Sequence, residues 1–151
     1  MLNADFKEFV GLLNSSGVVY LVVGGYALAA HGHPRYTGDL DLWVEATPTN
    51  VERLLAVLTR FGFGSLGLAA QDFATPGAMV QLGYPPARID LLTAIDGIAF
   101  ADCYPRRQIL SVGGVELPIL SLADFKANKR ASGRARDLAD LEALEGSADA
   151  D

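Results

Sequence analysis

The chain has 151 residues, half of them apolar and a fifth charged, which excludes disorder and gives a single domain enough material for a core. Its net charge of −6 excludes a broad, non-specific grip on nucleic acid. No apolar run reaches the ~18 residues of a membrane span, and the lone Cys103 excludes an internal disulfide and fits a reducing compartment.

The opening segment "MLNADFKEF" carries early acids and lacks the basic-then-apolar order of a signal peptide, so a cytoplasmic protein with no membrane partner is expected. Phe6, Phe9, Val10 and Leu13 recur at helical spacing, and Gly17 stands where that helix should end. "VVYLVV" (18–23) is a continuous β-branched run, the signature of a strand covered on both faces. Gly24 and Gly25 break it, and "YALAAHG" reads as a short helix. "LDLWV" (40–44) is the next strand. Thr47 followed by Pro48 predicts an N-cap and a first-turn proline, with Val51, Leu54, Leu55 and Leu58 as the buried stripe and Phe61–Gly62 as the close.

"AMVQL" (78–82) and "RIDLL" (88–92) are two further strands, and "QILSV" and "VELPIL" flank the hairpin signal Gly113–Gly114. Ser121 with Asp124 predicts a capping box opening a helix to about Ala131. Gly133 interrupts it, and a last helix from about Arg136 carries Leu138, Leu141 and Leu144. The expected architecture is α/β (α+β), a mixed sheet flanked by helices with helices at the C-terminal end. It forms one domain over residues 1–146, and the acidic tail, 147–151, is expected to fray.

Asp39 and Asp41 stand in an apolar strand and, by strand alternation, face the same way, while Leu40 and Leu42 face the other. Two carboxylates beside a core repel each other and are poorly solvated, and a divalent cation relieves both problems. "ARIDLLTAI" adds Asp90, alone in a second apolar strand. If the two strands are neighbours, three carboxylates converge. Three such groups can hold two metals ~3.5–4 Å apart, the arrangement that serves phosphoryl transfer. Asp90 would then act on an acceptor hydroxyl. The Gly24–Gly25 turn lets backbone N–H groups approach a phosphate without Cβ obstruction. Arg35 and Thr37, between that turn and the aspartates, offer a fork and a hydroxyl to phosphate oxygens.

Each feature also has a plain structural reading. The glycine pair serves as a tight turn, Asp-x-Asp suits a solvated edge, and Asp90 can pair with Arg88 or Arg106. His31 and His33 fit a structural role. Trp43 and Tyr36 fit either packing or stacking on a base. "DG" at 96–97 fits a turn, and Arg134, Arg136 and Asp137 fit a solvated helix start. Five of the twelve basic residues fall in "KANKRASGRAR" (126–136), which suits a small anionic ligand or plain surface.

Taken together, "VVGGYALAAHG", "RYTGDLDLWVE" and "RIDLLTAIDG" resemble the signature of the nucleotidyltransferase superfamily, the polymerase-beta-like fold. The "HGxxRxTxDxD" segment and the late "NKRASGRARDLADLEAL" resemble those of small bacterial members related to abortive-infection toxin–antitoxin nucleotidyltransferases. The resemblance runs from about Tyr20 to Leu144. It implies transfer of a nucleoside monophosphate from an NTP, ATP among them, to an acceptor, with Mg²⁺ or Mn²⁺ required. Gly24 and Gly25 would take the phosphate turn, and Asp39, Asp41 and Asp90 the metal. Lys126, Lys129 and Arg130 match the late basic motif as phosphate or acceptor contacts.

The acceptor is left open among RNA, protein and small molecule, as are an antitoxin or other protein partner and a homo-oligomer. Gly25 stands where many active members carry serine, and the large helical acceptor domain of bigger relatives is missing. The alternative is therefore a weakly catalytic nucleotide-binding or interaction module of the same fold. A metal-dependent phosphohydrolase lacks its His-rich ligand set.

Overall fold

The computed structural model describes residues 2–32, 38–75 and 77–150, with side chains described through Glu145. Helix α1 (Ala4–Ser15) opens under an Asn3 cap whose side chain accepts from the Phe6 backbone N–H, and it buries Phe6, Phe9, Val10 and Leu13. Strand β1 (Tyr20–Val23) leads directly into helix α2 (Gly24–Ala30), and strand β2 (Asp39–Val44) follows. Helix α3 (Pro48–Leu58) starts at the expected Thr47 cap. The chain leaves it through a wide turn, Thr59–Phe63, where Gly62 adopts φ +108°, a conformation that favours glycine.

Strands β3 (Met79–Leu82) and β4 (Arg88–Leu92) come next, then helix α4 (Phe100–Cys103). The hairpin β5 (Gln108–Val112) and β6 (Val115–Ile119) turns at Gly113 and Gly114, both at positive φ. Helices α5 (Leu122–Ser132) and α6 (Ala135–Ala150) close the chain. One of these differs from expectation: helix α4 is only four residues long, too short to show a helical period. Helix α6 runs to Ala150.

The six strands form one mixed sheet in the order β3-β4-β2-β1-β6-β5. β1 runs antiparallel to β2, β2 parallel to β4, and β1 parallel to β6. Its two faces differ in chemistry. Leu40, Leu42, Ile89 and Leu91 share one face and are 0–1% exposed. Fully burying each such side chain stabilises the fold by about 1.5–3 kcal/mol. Tyr20 lies on the same face, and its hydroxyl donates to Asn14 of α1 at 2.8 Å, which sets α1 over it.

The other face carries Asp39, Asp41, Trp43, Arg88 and Asp90. Phe100 of α4 meets the Trp43 ring edge-on at 5.1 Å, closing that face next to the acids. Trp43 is 1% exposed and is thus a packing residue. His31 is likewise structural: its Nε2 lies 2.8 Å from the Leu120 carbonyl oxygen and ties the end of α2 to the end of β6. Among the described residues, no helix is long and apolar enough to cross a membrane.

Candidate active site

The parallel pairing of β2 with β4 sets Asp39 opposite Arg88 and Asp41 opposite Asp90. Paired residues of neighbouring strands share a face, so the three aspartates and Arg88 converge, as the strand-neighbour expectation requires. One carboxylate oxygen from each of Asp39, Asp41 and Asp90 lies within 4.8 Å of the others. Asp90 is 2% exposed, while Asp39 and Asp41 are half-buried at the mouth.

Gly24 ends β1 beside this cluster, because Val23 is the register partner of Asp41. It adopts φ +67°, and a Cβ built there would collide with Asp41 Oδ2. Glycine is thus required at position 24 on two counts, conformation and space. Gly25 is buried in the first turn of α2.

The electrostatics follow from this crowding. Burial first, and then the neighbouring Asp90 carboxylate, push the Asp41 carboxyl up to about 7. Arg88 offsets part of the negative charge. Its Nη2 donates to Asp39 Oδ2 at 2.7 Å and to Asp90 Oδ2 at 3.1 Å. Its Nε approaches Asp90 Oδ1 to 3.0 Å, but the geometry is too poor for a directed hydrogen bond, so both atoms are buried without one.

The cluster opens into a cleft of about 340 Å³ between the sheet and the α5–α6 turn. Met79, Leu92 and Ile95 are among its apolar lining, and Asn128, Lys129, Ser132, Arg134 and Arg136 form the opposite wall. A larger hollow, about 690 Å³, lies along the β5–β6 end, but its lining holds a single acid, Glu116. The chemistry is concentrated in the smaller cleft.

The predicted basic residues separate here. Lys129 lines the cleft, yet it is 6% exposed and its Nζ lies 3.0 Å from Asp137 Oδ1 and 3.5 Å from Asp140 Oδ2. Arg130 pairs with Glu145 at 2.7 Å, and neither Arg130 nor Lys126 lines the cleft. Arg35 and Thr37, with His33 and Tyr36, lie outside the described residues.

Asp96 lines the cleft, and the turn it begins is held by Asn128, which donates to the Asp96 carbonyl at 3.0 Å. Cys103 is buried and its thiol is pushed up to about 11, first by burial and then by Asp124, so it is not a nucleophile. Asp124, expected to serve the capping box, instead has its carboxylate gripped by Arg106 at 2.9 and 3.0 Å, while Ser121 Oγ caps its backbone N–H.

From the sequence alone, Arg88 is expected only as a partner for Asp90. Strand alternation carried the signal for more, since a residue two before Asp90 must share its face.

The acid cluster suits a divalent cation on three grounds. All its donors are hard carboxylate oxygens, the preference of Mg²⁺ and Mn²⁺. Asp90 Oδ1 is buried without a directed hydrogen bond. The bare backbone at Gly24 makes room for the Asp41 carboxylate, which occupies the space a side chain would fill and so joins the cluster.

No protein-family model matches the chain, and no curated protein does. Among the solved structures that match it by shape are two crystal structures. A candidate nucleotidyltransferase of Thermotoga maritima superposes with a TM-score of 0.58 at 13% identity, covering 97% of this chain and 91% of that one. An antigenic nucleotidyltransferase-like protein of Paracoccidioides brasiliensis gives 0.54 at 18% identity, over 91% of this chain and 72% of that one. With its mixed six-stranded sheet and flanking helices, the chain has the nucleotidyltransferase fold.

Proposed function

We propose that the chain is a metal-dependent nucleotidyltransferase that moves a nucleoside monophosphate from an NTP to an acceptor hydroxyl. The observation that carries this reading is the register match of Asp41 with Asp90, with Asp39 within reach of both, beside a Gly24 that cannot bear a side chain. The sheet gains nothing from gathering three carboxylates side by side. A site that handles phosphate does.

In this reading Asp39, Asp41 and Asp90 hold the divalent ion. Bound there, it supplies charge neutralisation at phosphate oxygens and acidifies a nearby hydroxyl. The protein's own groups do the rest. The Gly24–Gly25 turn presents backbone N–H groups to the phosphates, with Arg35 and Thr37 as further contacts. Arg136 offers a cation from the opposite wall, where Arg134 is held by Asp137. The acceptor oxygen attacks the α-phosphorus, the bond to the bridging oxygen breaks, and pyrophosphate leaves. The hydroxyl proton passes to a carboxylate oxygen of Asp90, the most buried of the three acids. Lys126 and Arg130, outside the cleft, are read as contacts for a large acceptor. That arrangement, with the toxin–antitoxin resemblance, makes RNA and protein the first acceptors to try.

Incubation with labelled NTPs, Mn²⁺ or Mg²⁺ and host lysate should label one acceptor class. Asp41→Asn should lower labelling at least 100-fold, since the amide keeps the shape and loses the charge. Labelling that survives the substitution contradicts the assignment. Binding of NTP with no turnover on any acceptor would favour the non-catalytic module.

A further inference from the structure

We propose that Arg88 is the resident counter-cation of the carboxylate triad, which a divalent ion must displace in order to bind. This rests on the reading of the triad as a metal site. Arg88 is two residues before Asp90 on β4 and opposite Asp39 on β2, so strand geometry delivers its guanidinium between the two. Its Nη2 reaches both, at 2.7 Å to Asp39 Oδ2 and 3.1 Å to Asp90 Oδ2. These are two of the three groups an ion would join.

The lock is an imperfect one. The Nε–Oδ1 approach to Asp90 is close at 3.0 Å but not directed. One guanidinium faces three acids and does not bridge all of them. The Arg88 side chain is 28% exposed, against 4% for that of Asp90. The cation therefore has a route to solvent, while Asp90 stays in place. A fixed guanidinium within ~4 Å of a divalent ion would repel it strongly, so occupancy by one works against occupancy by the other. A second possibility is that Arg88 props the carboxylates together for the ion. That role predicts the opposite effect on affinity.

Calorimetric titration of the full chain with MnCl₂ separates these, using wild type, Arg88→Gln and Arg88→Lys, with circular dichroism to check folding. Arg88→Gln should bind Mn²⁺ roughly tenfold tighter than wild type, because a like charge has left the site. Arg88→Lys should fall between them, since an ammonium keeps the charge and loses the two-point fork. Metal-free Arg88→Gln should also melt below wild type and recover more when Mn²⁺ is added. Equal or weaker binding by Arg88→Gln overturns the proposal while leaving the metal site standing. Should Arg88→Gln fail to fold, Arg88→Lys decides, and an affinity equal to wild type overturns displacement. No Mn²⁺ binding by any of the three overturns the metal site itself, and the proposal with it.

Discussion

The two walls of the cleft both gather buried charge, and they balance it differently. On the α5–α6 wall Asp137 is fully buried and receives Lys129 Nζ at 3.0 Å, Ser132 Oγ at 2.8 Å and Arg134 Nε at 2.6 Å. Burial works to raise its carboxyl, but the hydrogen bonds from Arg134, Lys129 and Ser132 outweigh that and hold it well below the usual range. On the sheet wall burial and the neighbouring Asp90 carboxylate meet too few donors, and Asp41 is driven the other way, up to about 7. A cluster satisfied from within is architecture. A cluster left short of positive charge is prepared for something that brings it.

The largest effect should come from breaking the balanced wall. Asp137→Ala leaves Lys129, whose side chain is 7% exposed, without its nearer carboxylate, with Asp140 at 3.5 Å and the Phe125 ring at 5.1 Å still beside it. The loss should be about 3–5 kcal/mol, read as a lower midpoint in urea. An unchanged midpoint would mean that Lys129 is solvated after all and that the two walls are alike.

The sheet wall should answer in the opposite sense. Folded Asp41 holds a proton between the ordinary carboxylate value of 3.8 and about 7, whereas the unfolded chain has released it. The native state binds more protons in that window, so this group's contribution to stability falls as pH rises through it. Metal-free Asp41→Asn should therefore match wild type near pH 4 and melt above it at pH 8, by about 3–8 °C. Equal melting points at both pH values would mean that the acids are already balanced.

Much of this was legible in the sequence, for reasons of chemistry. Asp39, Asp41 and Asp90 betray themselves as acids in apolar runs, and period-2 alternation fixes the shared face of the first two. The caps at Thr47 and Ser121 follow from local hydrogen bonding, which is readable within four residues.

What remained hidden depends on partners distant along the chain or across the sheet. The β2–β4 register, which turns three separate acids into one site, is set by packing of the whole sheet. Lys129 reads as one cation in a basic run, and nothing local says that its partners sit on the next helix, past the Gly133 turn. Arg88 reads only as a partner for Asp90 until the opposing Asp39 is known.

The central claim is that Asp39, Asp41 and Asp90 together hold a divalent ion. Anomalous diffraction from a crystal soaked in Mn²⁺ and a non-hydrolysable NTP tests it most directly. The account predicts a manganese peak at ~2.2 Å from carboxylate oxygens of all three aspartates, with Arg88 turned away from Asp39. A crystal with nucleotide in the cleft and no manganese at these residues, or with Asp90 outside the coordination sphere, would contradict it.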